Sequence, residues 1–543
     1  MPFQRSYREF ATELGGRAWQ NYRLAKALPE FLRERIAPAE AEDRIRRLLA
    51  DREQRFLDLA RTRIYSAPAS PYLKLLRIAG CEFADLDREV RRDGLDATLA
   101  ALARQGVYLT VEEYKGKTDV QRGGGSFRIA SGDFANPDPS PGFATQSSGT
   151  NNAPMTSIIL LDRVAVQALE LAVLFSAHGL WQKAHALYDA ILPSGSGLRN
   201  LMMNAKLGVQ TERWFARRVP DKSGAGGWYN YLATHFIVAM ARRNGARFPR
   251  PEFIDINDLT SIVRWVSAKR AEGRGCSIKT IGSNAARIAQ TAEAMHASLE
   301  GVTFICGSEP FTEAKRDAIL RSGATATPHY GFVTGGSVGY GCGRPIYTDE
   351  IHVNRHTMAL ILAPDGYPLR GGSVRPFLFT SLLPSDPRLL LNVENGDYGI
   401  LEERRCGCAM ERAGLTLHLH DIRSYEKFTS EGMNYFYGDL FDILEKRLPA
   451  EFGGGPGDYQ LAEEEDGDGQ TRLTLRVDPK IADLDETKVI ARLKEHLAGG
   501  SWQHEFQVRV WDNAGVFRVR REAPHASARG KILPLHLSRS SGS

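Results

Sequence analysis

The sequence predicts an α/β protein with a large N-terminal body of several subdomains, a helical stretch before it and a small α+β unit after it. Three observations carry that expectation. From about 228 to 345, short β-branched and aromatic runs alternate with helical periods, as at 302–306 followed by 313–320. That is the signature of a parallel sheet with crossover helices. Over 356–420 the apolar runs 357–362, 377–380, 388–393 and 415–420 read as strands. After about 422–428 the pattern restarts. A helix is expected at 438–447, then a strand at 459–462, an acidic turn at 463–468 and a strand at 471–477. A helix at 487–498 and a strand at 506–511 complete the unit.

The remaining elements follow from periodicity. Ile45, Leu48, Leu49, Phe56, Leu57 and Leu59 recur at helical spacing among charges, so 39–63 reads as amphipathic helix starting after Pro38. The stretch 85–105 reads as one helix capped by Asp85, and further helices are expected at 162–178 and 180–191. Gly123-Gly124-Gly125 and the run from Asn136 to Gly142 are punctuation. The expected units are therefore a helical extension over 1–65, a body over 66–424 and a lid-like domain over 425–543.

Composition bounds the function. The 543 residues suggest roughly two to four domains. At 42% hydrophobic and 25% charged, the chain can bury a core, and whole-chain disorder is excluded. The 70 basic and 65 acidic residues give a net charge of +5, too weak a bias to indicate nucleic acid. No apolar run is long enough for a signal peptide or a membrane span, and 6 cysteines are too sparse for a disulfide scaffold. A reducing, cytoplasmic setting is expected.

Six segments carry candidate chemistry. Ser147-Ser148-Gly149-Thr150-Asn151-Asn152-Ala153-Pro154 offers backbone N–H groups and hydroxyls to an anion, without the spacing or lysine of a P-loop. Gly307-Ser308-Glu309-Pro310-Phe311-Thr312 lies between a strand and a helix, where open α/β sheets bind ligands. Tyr330-Gly331, with Thr334 beyond it, joins an aromatic ring to a glycine-rich stretch. Asn395-Gly396-Asp397 is read as a loop whose Asp could accept from ribose hydroxyls. Arg423 and Gly530-Lys531-Ile532 complete the series. Taken singly, each is equally a polar turn, a helix start, a β-turn or a solvated tail.

Their order is what stands out. Together they resemble the adenylate-forming superfamily that includes acyl- and aryl-CoA ligases. Ser147–Pro154 is similar to that class's Ser/Thr-Ser-Gly-Thr-Thr-Gly-Lys-Pro phosphate loop, and Gly307–Pro310 and Tyr330-Gly331 resemble its two nucleotide segments. Asp397 falls on the ribose-binding Asp, Arg423 on the Arg before the interdomain hinge, and Lys531 on the catalytic lysine of the Gly-Lys-Ile tail. Within the class, Gly-Ser-Glu-Pro-Phe-Thr, Cys406-Gly407-Cys408 and Gly432-Met433-Asn434-Tyr435-Phe436 resemble phenylacetate-CoA ligase-like proteins, with luciferase-pathway acyl-protein synthetases as relatives.

The resemblance implies a ligase that uses ATP and Mg²⁺ to convert a carboxylic acid to an acyl-adenylate with release of pyrophosphate, and then passes the acyl group to CoA. An amine or carrier-protein thiol as acceptor, or a degenerate nucleotide-binding protein, are the alternatives. Ser147, Ser148, Gly149 and Thr150 would cradle phosphates. Ser308, Glu309, Pro310, Tyr330, Gly331 and Thr334 would surround the adenine side, Asp397 and Arg423 would hold ribose, and Lys531 would meet the developing charge. The departures are Asn151-Asn152 in the phosphate loop and Thr334 where the class has a Mg²⁺-binding Glu, with Asp349 or Glu350 as substitutes. At the hinge, Tyr425 replaces Asp. Trp228, Tyr229, Tyr231, His235 and Phe236, with 333–340, are expected to line a pocket for an aromatic or medium apolar acid. Cys342, His352, Cys406 and Cys408 would make a closed Cys₃His zinc set. The Cys-x-Cys spacing is unusual for zinc, and buried free thiols are the competing reading. No nucleic acid or membrane partner is expected.

Overall fold

The computed structural model describes residues 20, 22–137, 139–146, 156–217, 225–255, 258–369, 372–424, 427–430, 433–436, 440, 443–455, 458–499, 502–525 and 535–537. Its centre is a 12-stranded mixed sheet. The strands are β1 Ala184–Tyr188, β2 Thr211–Arg217, β3 Pro251–Ile254, β4 Cys276–Ile281, β5 Val302–Gly307 and β6 Thr325–Phe332. They continue with β7 Gly336–Gly341, β8 Ile351–Val353, β9 Met358–Leu362, β10 Pro376–Ser381, β11 Val393–Glu403 and β12 Leu417–Ser424. Their spatial order is β9-β10-β11-β12-β8-β7-β6-β5-β4-β1-β2-β3. From β3 to β6 every pairing is parallel; from β6 to β9 every pairing is antiparallel. The sheet therefore changes character at β6.

The parallel half is covered on both faces, so its strands are apolar on both sides. In-register neighbours alternate between faces. Leu187 and Ile305 belong to the layer under helix α1 (Leu161–His178) and helix α2 (Ser196–Lys206). Ala186, Ile278, Phe304 and Cys306 belong to the opposite layer, where Trp265 and helix α3 (Gly282–Ala294) pack. Helix α4 (Glu313–Arg321) follows β5 and is N-capped by Thr312, whose hydroxyl accepts from the Lys315 N–H. The antiparallel half packs against Phe56, Tyr72, Leu99 and Val107 from the helical N-terminal region. The helices there, Pro38–Ala50 and Arg52–Ala60, place Ile45 and Phe56 in the two cores of the body.

A second, four-stranded sheet follows, made of β13 Tyr459–Glu465, β14 Thr471–Val477, β15 Phe517–Arg521 and β16 Leu535–Leu537, in the order β15-β14-β13-β16. It has its own core of Leu461, Leu473, Leu475, Leu493 and Trp511. Its β13–β14 hairpin rests on the body. Thr312 donates its hydroxyl to Glu465, the Gln290 amide donates to the Asp468 carbonyl at 3.1 Å, and the Gln470 amide to the Ser283 carbonyl at 3.4 Å.

Several local expectations fail for identifiable reasons. The stretch 180–191 is not a helix: Ala184–Tyr188 is an interior strand buried at every position, so it shows neither a helical nor a strand period. Gly94, at φ 84°, splits the 85–105 helix into Phe83–Asp93 and Leu95–Arg104, and Asp85 is the third residue of a capping box begun by Glu82, not the cap. The run 506–511 lies in a helix, Trp502–Asn513; its alternating Val508 and Val510 imitate a strand, while Gln507 and Trp511 turn inward four residues apart. Residues 388–392 precede a strand that begins at Val393, and Glu463–Glu465 prolong β13 where a turn was expected. The segment 438–447 is described as a helical turn only from Ile443.

Phe304 lies fully buried in the interior strand β5. Phe304→Ala should cost about 3–5 kcal/mol in urea unfolding of the body; a cost below about 1 kcal/mol would contradict this placement.

Candidate active site

β5 ends at Gly307, where a side chain would crowd His329: a Cβ would lie 3.0 Å from its Nδ1 and 3.2 Å from its carbonyl oxygen. Ser308 follows with φ 68°, a left-handed conformation uncommon for a residue with a side chain. That turn sends Glu309 inward. Its carboxylate accepts from the Ser283 backbone N–H and, at 3.0 Å, from the Ser283 hydroxyl, in the first turn of α3. Lys315 Nζ lies 3.8 Å from it, with both side chains within 2% of full burial, and donates to the Pro310 carbonyl at 3.0 Å. Glu309 is thus committed to holding the Gly307–Pro310 turn in shape.

Across the β5–β6 seam, the Tyr330 hydroxyl donates to Asp397 Oδ2 at 2.7 Å. Asn395 Nδ2 lies 2.7 Å from the Tyr330 hydroxyl and 2.9 Å from the same Asp397 oxygen, while the Asp397 N–H donates to Asn395 Oδ1 at 3.0 Å. Burial and the Asp397 carboxylate push the Tyr330 hydroxyl well above its ordinary pKa, so it stays a donor. Gly331 is needed where the strand bends, because a Cβ there would meet the Gly336 carbonyl at 2.5 Å. Asp397 lies inside β11, not in a loop: Gly396, at φ 86°, lets the strand continue through the Asn-Gly pair. Asn395 is a residue the sequence reading passed over as part of a turn.

Arg423 is on the neighbouring strand β12 but opposite Tyr398; Asp397 is opposite Ser424. Its guanidinium reaches Asp349 at 3.0 Å and the Ile422 carbonyl at 2.7 Å, so the structure does not bring it onto Asp397. The same Asp349 accepts from the N–H groups of Asp421 and Ile422, each at 2.9 Å. Glu350 is also engaged: it accepts from the Ile346 and Tyr347 N–H groups and pairs with Arg404 and His418. Both carboxylates are thus already engaged by protein partners, and Thr334 is half-buried. Among the described residues no set fits a Mg²⁺ ion beside Thr334.

The four predicted thiolate and imidazole ligands converge. Cys342, at the end of β7, His352 in β8, and Cys406 and Cys408 before the short helix Ala409–Arg412 hold their ligand atoms within 4.8 Å of one another. His352 Nε2 is 3.3 Å from Cys408 Sγ and 3.6 Å from Cys406 Sγ. Its Nδ1 lies 2.6 Å from the Leu415 carbonyl. That partner requires the proton on Nδ1 and leaves the Nε2 lone pair facing the sulfurs, the outer-shell arrangement of metal-bound histidines. Glu411 accepts from both the Cys406 and Gly407 N–H groups and fixes the Cys-x-Cys turn. His418 lies behind His352, its ring tilted by 49° at a centroid distance of 4.0 Å. His420 instead stacks 3.7 Å from Tyr347.

Ser147, Ser148, Gly149, Thr150 and Lys531 lie outside the described residues. Of the residues expected to line an apolar acid pocket, Trp228 and Phe236 are 48% and 47% exposed on the helix Ala225–Arg243. Among the described residues no helix is long and apolar enough to cross a membrane.

No protein family and no curated protein matches the sequence. In its fold the chain is similar to a solved structure, a 2-hydroxyisobutyryl-CoA ligase in complex with 2-HIB-AMP and CoA in the thioesterification state. It is 14% identical, with a TM-score of 0.55 over 92% of this chain and 90% of that one. The chain has the fold of that ligase. A malonyl-CoA ligase with methylmalonyl-CoA and AMP bound superposes more loosely, at 15% identity and a TM-score of 0.40 over 72% of this chain and 73% of that one.

Removing Lys315 would leave Glu309 buried without a cation. Lys315→Met should destabilise the body by about 3 kcal/mol in urea unfolding; an unchanged midpoint would show that the turn does not depend on this pair.

Proposed function

We propose that the chain activates a carboxylic acid with ATP, forming an acyl-adenylate and pyrophosphate, and then passes the acyl group to a thiol, with CoA as the acceptor. The observation that carries this reading is the convergence of Gly307–Pro310, Tyr330 and Asp397 at one edge of an adenylate-forming ligase fold. A carboxylate oxygen attacks the α-phosphorus, the bond to the bridging oxygen breaks, and pyrophosphate leaves. The thiol sulfur then attacks the acyl carbon and AMP leaves.

Little covalent work falls to the protein; positioning and charge stabilisation dominate. Tyr330 presents a ring against the base, and its hydroxyl with Asn395 orients Asp397 toward ribose hydroxyls. Ser308 and the Gly307 backbone border the adenine side. Ser147, Ser148, Gly149 and Thr150 receive the β- and γ-phosphates, and Lys531 brings an ammonium to the α-phosphate and carboxylate oxygens. Arg423, tied to Asp349, borders the lid: Glu463 and Glu465 of β13 lie within its electrostatic reach. Mg²⁺, when bound with ATP, neutralises phosphate charge; no residue here is assigned to it. The lid of 425–543 swings about the hinge near 423–427 between the two half-reactions.

The Cys342, His352, Cys406 and Cys408 set is proposed as a structural zinc site. Three sulfurs and one imidazole nitrogen around a shared centre suit a closed tetrahedral site, with ligand distances of about 2.0–2.3 Å. The zinc would fasten β7 and β8 to the segment after β11, remote from chemistry.

Two outcomes test these readings. Lys531→Ala should lower acid-dependent pyrophosphate release by about 10²-fold or more, with circular dichroism unchanged; undiminished release would remove Lys531 from the reaction. Metal analysis of the purified chain should find about one zinc per chain, lost in Cys408→Ser. A chain that neither carries zinc nor takes it up when zinc is added would leave these as free thiols.

A further inference from the structure

The hairpin of β13 and β14 carries the acidic run 463–468 to the body, and its two faces have different tasks. Glu464 turns into the small domain, where the Thr474 hydroxyl donates to it at 2.9 Å and Arg476 at 2.8 Å. Glu465 projects from the opposite face, as strand alternation requires. It meets the body at the start of α4, accepting from the Thr312 hydroxyl and standing 4.0 Å from Lys315 Nζ. The tip that follows is held in shape by Asp466, whose carboxylate accepts from the N–H groups of Asp468 and Gln470 at 3.1 and 2.9 Å. The tip then makes two contacts with α3. Gln470 Nε2 donates to the Ser283 carbonyl at 3.4 Å, and the Asp468 carbonyl accepts from Gln290 Nε2 at 3.1 Å.

Three of the body residues met in this way are the ones that shape the nucleotide turn. Ser283 gives Glu309 its backbone N–H and its hydroxyl, the latter at 3.0 Å. Lys315 stands 3.8 Å from Glu309 and donates to the Pro310 carbonyl at 3.0 Å. Thr312 caps α4 directly behind the turn. Gly282 leaves the room this arrangement needs: a Cβ there would lie 3.1 Å from Lys315 Cδ and 3.2 Å from Glu309 Oε1. One ammonium therefore serves a body carboxylate and a small-domain carboxylate at once, with the Lys315 side chain 2% exposed and that of Glu465 16% exposed. The turn itself is strained, since Ser308 sits at φ 68°. Such a conformation persists only where its surroundings over-determine it. The hairpin supplies part of those surroundings. Without it, Lys315 and Thr312 would face water, where their electrostatic hold on the turn weakens.

We propose that the β13–β14 hairpin is a clamp on the nucleotide turn: Glu465 and Gln470 are positioning residues of the small domain that hold Gly307–Pro310 in its nucleotide-binding shape through Lys315, Thr312 and Ser283. This rests on the adenylation reading of the turn. The clamp makes docking of the small domain and binding of nucleotide mutually favourable, because a coupling between two equilibria acts equally in both directions. Nucleotide then gathers the small domain onto the body, and a small domain that has swung away lets the nucleotide go more readily. Neither Glu465 nor Gln470 belongs to the segments assigned to the nucleotide or the acid, so each acts on binding through the body residues it touches.

The test measures ATP binding by calorimetry and hydrogen exchange across 307–312 in the full chain. The main variant is Glu465→Lys, which sets a like charge against Lys315. Glu465→Gln is the conservative one, because its amide oxygen still accepts from Thr312. The expected result is an ATP affinity about 10-fold lower in Glu465→Lys, with circular dichroism unchanged and Glu465→Gln intermediate. Exchange at 307–312 should be faster in unliganded Glu465→Lys than in the unliganded wild type. Reciprocally, ATP should slow exchange across 463–470 in the wild type and not in Glu465→Lys. Where circular dichroism shows that Glu465→Lys has lost its fold, the double variant Glu465→Gln, Gln470→Ala takes its place under the same criteria. Unchanged exchange at 307–312 overturns the proposal, as does an unchanged ATP affinity. If the wild-type chain binds no ATP but exchange at 307–312 still quickens in the variant, the clamp stands and the adenylation reading fails.

Discussion

The architecture of the site depends on how β6 is paired. It is parallel to β5 on one side and antiparallel to β7 on the other, so its last residues stand where the two halves of the large sheet meet. Parallel pairing to β5 brings His329 over Gly307. Antiparallel pairing to β7, with a bulge after Tyr330, turns the next residues toward the β10–β12 side, where the Tyr330 hydroxyl finds Asp397 at 2.7 Å. Two segments more than sixty residues apart in sequence are thereby joined to a third at one sheet edge.

Lys315 and Glu309 supply the second support. A buried carboxylate at the start of α3, with a buried ammonium beside it, keeps a left-handed serine between strand and helix. The β13–β14 hairpin of the small domain leans on the same segment through Glu465 and Thr312. The Gly307–Pro310 turn is therefore followed directly by a surface on which the small domain rests.

Much of this was legible in the sequence, and what was not has physical causes. The strand at 302–307 and the Thr312 cap were readable because an apolar β-branched run met a helix-starting residue. The strand at 184–188 was not, since full burial erases the period that identifies a strand. Asp397 could be picked out by its glycine neighbours, but those same neighbours suggested a loop, and only pairing with β10 and β12 makes it a strand residue. The association of Cys342, His352, Cys406 and Cys408 was suggested by residue type, while the tautomer that suits them to a metal depends on a carbonyl at Leu415, invisible in sequence.

The central claim is that a carboxylate oxygen attacks the α-phosphorus of ATP at the edge formed by Gly307, Tyr330 and Asp397. The most direct measurement uses an acid labelled with ¹⁸O in its carboxylate and follows the label by mass spectrometry through one complete turnover to a thioester. Attack at the α-phosphorus leaves one ¹⁸O in the AMP released and none in pyrophosphate. Label appearing in inorganic phosphate, with ADP as the nucleotide product, would contradict the account.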